Sequence, residues 1–144
     1  MTITRHPARA IGALTVAVAG AVGFVVPAGA STSTVPTGLL WMSPHRIQVG
    51  VARRFRSVDP CPATHADGSP LLGTNMVQLT VIFPQGGGIG NVFPVAADGS
   101  WVAAWDPKID PAAHHRATIY ADCLDVTVTG IATAHYEPHR IRLT

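Results

Sequence analysis

Beyond residue 30 the chain carries six histidines, His45, His65, His114, His115, His135 and His139, and these are its most obvious candidates for metal or acid–base chemistry. His135 and His139 are four residues apart, a spacing that on a helix would aim both imidazoles at one ion. Pro138 lies between them, however, and the flanking residues alternate like a strand, which separates the rings. His114 and His115 are neighbours in a predicted loop, where adjacent side chains diverge. No HExxH, HxxEH or Cys-His cluster is present. The expectation is that the histidines are loop and edge residues and that there is no metal ligand. An exported metal-binding protein or small hydrolase using these histidines with Asp122 or Asp125 stays as an alternative. It requires His114, His115, His135 and His139 to converge in the fold.

Other catalytic patterns are weaker. No G-x-S-x-G elbow raises a serine for attack. Asp106 with Asp110, or Asp122 with Asp125, could satisfy the 5–10 Å carboxyl separation of a glycosidase on distance alone, but so small a domain has little room for a cleft. Asp67 and Asp98 begin D-G-S turns, where a carboxylate bonds the local backbone. The glycines between 86 and 90 have no lysine beside them and no helix after them, so a phosphate cradle has no support. Cys61 and Cys123 sit in Pro60-Cys61-Pro62 and Asp122-Cys123-Leu124, with no visible activator for a thiolate. The sequence therefore predicts no enzyme, no catalytic residue and no cofactor.

The elements that position these residues begin with a segment that is removed. Arg5 and Arg9 precede an uncharged run from Ala10 to Val26, and Pro27 with Ala28-Gly29-Ala30 supplies a break and a small-residue cleavage site. Residues 1–30 are predicted to be a signal peptide for secretion, with no stable membrane span after processing. Without Arg5 and Arg9 the formal charge of +2 disappears, leaving eight basic and eight acidic side chains. Bulk charge then gives no basis for nucleic-acid binding. In an oxidising compartment an even cysteine count predicts one disulfide, Cys61–Cys123, across a 62-residue separation.

Residues 31–38, STSTVPTG, are expected to form a flexible lead-in, and residues 39–144 a single domain. There the period is two. Ile47, Val49 and Val51 alternate with polar residues or glycine, and Val77, Leu79, Val81 and Phe83 form another row. Ala117, Ile119, Ala121 and Cys123 form a third, continued by Val126 and Val128, and Ile141 with Leu143 closes the pattern. Asp98-Gly99-Ser100 is a hairpin signal, and Asp67-Gly68-Ser69-Pro70 and residues 85–90 are loops. The one helical candidate is a turn at Pro111-Ala112-Ala113-His114-His115, with Asp110 as cap. Several short strands at this spacing predict an all-β, antiparallel sandwich.

The Pro-Cys-Pro corner, the Val77-to-Val81 strand, the Asp98-Gly99-Ser100-Trp101 turn and the stretch Tyr120-Ala121-Asp122-Cys123 together resemble small immunoglobulin-like β-sandwich domains of exported actinobacterial proteins. The resemblance covers about residues 39–128 and implies a bond between Cys61 and the late-strand Cys123. The neocarzinostatin-type apoproteins share the general layout, but they carry two disulfides where this chain can make one, so no chromophore cleft is transferred.

Two surface features complete the reading. Arg46, Arg53, Arg54 and Arg56 crowd one segment, where they could meet phosphate or carboxylate groups of a bacterial envelope or protect a solvated edge strand from pairing. Trp41, Trp101 and Trp105 either fill the core or form an aromatic strip, and at least one of Trp101 and Trp105 is expected inside. The function expected is that of an exported, non-catalytic immunoglobulin-like module bound to an unknown protein or cell-envelope component. A secreted inhibitor presenting residues 84–91 is the remaining alternative.

Overall fold

Alternation at positions 77–83 and 117–123 calls for strands with one dry face and one wet face, and both stretches, the first as far as Ile82, lie in long strands of the fold. The computed structural model describes residues 34–110, 114–127 and 130–144, all within the Thr32–Thr144 unit of a chain that divides after Ser31. The expected signal peptide at 1–30, residues 31–33 of the lead-in, residues 111–113 of the helical candidate 111–115 and Val128 of the predicted third row lie outside the described residues, while His114 and His115 of that candidate are not helical. Nine strands succeed one another among them: β1 (Trp41–Met42), β2 (Arg46–Ile47), β3 (Arg53–Ser57), β4 (Thr74–Ile82), β5 (Gly88–Pro94), β6 (Val102–Trp105), β7 (Arg116–Val126), β8 (Gly130–His135) and β9 (His139–Leu143). The described residues contain no helix, so none of them forms a helix long and apolar enough to cross a membrane.

The strands form two sheets. One is three-stranded and antiparallel, in the order β1-β3-β6. The other is six-stranded, β2-β9-β7-β4-β5, with β8 also on β7. Strand β7 is shared along its length: Arg116 to Ile119 pair with β9, and Asp122 to Val126 pair with β8. Pro138 cannot donate to a ladder and falls between β8 and β9, while Tyr136 N still donates to Ala121 O at 3.0 Å.

The arrangement is not purely antiparallel, because β2 runs parallel to β9. It arrives from β1 across Ser43-Pro44 rather than through a hairpin, so no tight turn dictates its direction, and Arg142 N to His45 O (2.9 Å) and Thr144 N to Ile47 O (3.0 Å) hold it. The strand predicted through Val49 and Val51 stops at Ile47, because Gly50 adopts φ 81° and Val51 N turns back to Gln48 O. The expected loop at 85–90 is shorter, since Gly88, Ile89 and Gly90 already pair with β4. Strand β3, with Arg53, Arg54 and Arg56, is the centre of its sheet and not an edge. The Asp98-Gly99-Ser100 signal is a tight turn, closed by Ala96 N to Ser100 O at 2.8 Å. It links β5 in one sheet to β6 in the other instead of joining a paired hairpin. Gly99 is needed there twice over, with φ 82° and a Cβ position 2.5 Å from Cys61 O.

The inward rows of both sheets share one core. Phe55, Ala103 and Trp105 from the smaller sheet are buried with Val77, Leu79, Val81, Ala117, Ile119, Ala121 and Ile141 from the larger. All three tryptophans belong to it, each at most 8% exposed, which resolves the choice between core and aromatic strip. Phe93 of the larger sheet meets Trp105 of the smaller with ring centroids 6.3 Å apart. Cys61, in the loop after β3, is bonded to Cys123 on the inward face of β7. Beside it the Tyr136 hydroxyl accepts from Trp101 Nε1 at 2.9 Å and donates to Asp59 O at 2.8 Å. Burial raises the Tyr136 pKa above its ordinary value, so the phenol stays a donor. The end of the lead-in is tied as well, through His135 N to Pro36 O at 2.8 Å.

Candidate functional site: an arginine row on the outer sheet face

Residues of β2, β9 and β7 that point away from the core alternate with Ile47, Ile141, Leu143 and Ala117, and Arg46, Arg140, Arg142 and Arg116 are among these outward positions. Register makes them neighbours. Arg142 of β9 is the Cα partner of Arg46 on one side and of Arg116 on the other. One row further along, Arg140 pairs with Thr118. The four arginines are exposed and, with His45, Pro84 and Thr118, line an open depression of about 650 Å³. No carboxylate forms an ion pair with any of the four among the described residues.

Such a row is costly in an isolated sheet, because like charges directly opposite one another repel. A surface strand position accepts threonine, glutamine or glutamate without that cost. Three guanidinium groups from adjacent strands, with anchor points spaced about 4.8 Å apart, instead offer a dense field of fork-shaped donors suited to oxyanions.

The opposite end of β7 is built differently. Asp125 lies at the end of the inward row, 1% exposed. Its carboxylate accepts Leu72 N and Gly73 N, each at 2.7 Å, and His65 Nε2 lies 2.9 Å from Oδ2. The Leu72 hydrogen bond leads in holding its pKa below the ordinary 3.8, with Gly73 and His65 adding to it against the opposing effect of desolvation. Asp122, on the outer face, meets His135 Nδ1 at 2.6 Å. Asp67 and Asp98 each accept the hydroxyl and the backbone N–H of the serine two residues on, which lowers both pKa values. Asp106 is lowered by Lys108, with which it pairs, and also accepts Gly50 N at 3.0 Å.

The histidines do not converge. His65 serves Asp125 and His135 serves Asp122, while His139 lies edge-on against Trp41 at 5.0 Å. His114 stacks on Phe83 at 3.9 Å, and His45 borders the arginine depression. Among the described residues no group of three or more His, Cys, Asp or Glu side chains is placed to hold a metal ion. Asp122 and Asp125, the carboxylates that the hydrolase alternative required, each have a histidine partner, yet the two pairs lie on opposite faces of β7. Arg54 and Arg56 are exposed on the outer face of the smaller sheet, while Arg53 is half-buried with Nε unpartnered. The expected cluster of Arg46 with these three is thus divided between two sheets.

Sequence reasoning missed the row because its members lie up to 96 positions apart. The available signal was the outward parity of Arg116, Arg140 and Arg142 against Ala117 and Ile141. Comparison with family models, with curated proteins and with solved structures finds no match for this chain.

Proposed function

We propose that residues from about 31 onward form an exported, non-catalytic binding module of immunoglobulin-like sandwich type, and that its ligand-facing surface is the arginine row of the larger sheet. The observation that carries this is Arg46–Arg142–Arg116 in direct cross-strand register with no carboxylate ion pair among the described residues. Two sheets sharing one core support the sandwich type. The Cys61–Cys123 bond supports work in an oxidising compartment, in line with the export segment read at 1–30. The partner is an anionic component of the cell envelope, held through charge and fork-shaped hydrogen bonds rather than through a cofactor.

Retention on phosphocellulose tests this reading. The protein is expected to bind at low salt and to elute at a defined salt concentration. Arg46→Gln with Arg142→Gln moves elution to lower salt, and Arg54→Gln with Arg56→Gln, the same charge loss on the other sheet, leaves it near the parent. Flow-through of the parent, or equal shifts for both double variants, overturns the proposal.

A further inference from the structure

Resting on the reading of this face as an anion site, we infer that its ligand is a flexible chain of phosphate groups lying across the strands along Arg46, Arg142 and Arg116. Three features select this chemistry. First, the arginines are cross-strand neighbours, so their anchor points form a line perpendicular to β7 and span roughly 10 Å, two strand spacings. A line of cations fits a chain with repeated charge better than it fits one small anion. Second, an oxyanion seated between two adjacent guanidinium groups must accept from both. A tetrahedral phosphate presents oxygens out of any one plane and bridges neighbouring forks, whereas a carboxylate holds all its acceptor directions in one plane and turns one edge of it to a single bidentate arginine. Third, the depression is concave and, among the described residues, no Phe, Tyr or Trp lines it. A nucleic-acid strand would have only the His45 imidazole and the guanidinium planes on which to stack its bases, which leaves repeated phosphates as the main contact, and a flat bilayer would not follow the hollow. Arg140 and the Thr118 hydroxyl, one row along, supply a second rank of donors for oxygens on the far side of the chain.

The test uses the full chain and fluorescently labelled inorganic polyphosphate, read by anisotropy. Poly-L-glutamate and oligothymidylate of matched charge serve as competitors, and phosphatidylglycerol vesicles are assayed by co-sedimentation. Polyphosphate is expected to bind at least tenfold more tightly than either competitor, with little sedimentation on vesicles. Four arginine contacts give a slope of log affinity against log salt of roughly −3, and Arg142→Gln flattens it by about 0.7. Arg142→Gln weakens polyphosphate about tenfold and Arg140→Gln less, while Arg54→Gln with Arg56→Gln changes neither affinity nor slope. All of these side chains are exposed, so the variants retain the fold, which far-ultraviolet circular dichroism checks. Equal binding of polyglutamate and polyphosphate, still lost in Arg142→Gln, keeps the anion face and overturns the phosphate assignment. Preference for oligothymidylate or vesicles overturns it in favour of those partners. Binding to none of these probes removes both the assignment and the anion site on which it rests.

Discussion

The two ends of β7 handle charge in opposite ways. At its C-terminal end Asp125 is buried, and two backbone N–H groups and His65 surround its carboxylate, while Asp122 meets His135. At its N-terminal end Arg116 stands beside Arg142 and Arg46 with no carboxylate ion pair among the described residues. The same strand, with the same alternation, therefore carries one end whose charges hold a loop in place and one whose charges are left for something else. The difference teaches that overall neutrality hides an uneven distribution. Eight basic against eight acidic residues beyond position 30 excludes a strong net field, but it says nothing about four arginines gathered on one face.

The largest effect expected is at the satisfied end. Replacing Cys61 and Cys123 together by serine releases a 62-residue loop, and urea denaturation should show a loss of about 4 kcal/mol on the chain-entropy view. An unchanged midpoint would mean that the loop from β3 to β4 is held by its hydrogen bonds, those to Asp125 and from Tyr136 among them, without the bridge. The acid limb of stability comes next. The folded Asp125 pKa is depressed, so the stabilisation is complete above the ordinary 3.8 and is lost as pH falls through the lower folded value. Thermal melts from pH 7 downward should show a drop concentrated below about pH 4. Asp125→Asn should start lower at pH 7 and lose part of that drop, and an acid limb identical to the parent's would place its origin elsewhere. The smallest effect belongs to the arginine end. Arg142→Gln should leave stability unchanged or raise it by a few tenths of a kcal/mol, because two like-charge contacts disappear. Moderate salt should stabilise the parent more than this variant by screening the same repulsion. A clear loss on substitution would give Arg142 a structural role and erase the contrast between the two ends.

What could be read from the chain depended on sequence distance. The inward rows at 77–81 and 117–123 and the turn at 98–100 are local patterns, and each is present in the fold. The disulfide also follows, since only one pairing exists. The destination of the Asp98-Gly99-Ser100 turn was not legible, because turn chemistry sets a reversal of direction but not which sheet receives the next strand. Strand β3 looked like a protected edge for its arginines, yet its place between β1 and β6 is fixed by strands whose partners lie tens of residues away. Arg46, Arg116 and Arg142 are unremarkable until β2 and β9 bring them into register. Asp125 reads from the sequence only as a candidate partner of Asp122 or of the histidines, and its place on the inward row beside Cys123 and Ala121 is what turns it to Leu72, Gly73 and His65.

The packing around Tyr136 also makes the molecule its own optical gauge. Trp41 and Trp101 lie 5.8 Å apart, and the phenol that accepts from Trp101 also sits 3.6 Å from Cys61 Sγ. Coupled indole transitions next to a disulfide should give an intense near-ultraviolet dichroic band and weak, blue-shifted emission. Reduction of the bond without unfolding would then brighten the fluorescence while leaving its colour in place, whereas loss of the core would shift the colour to the red.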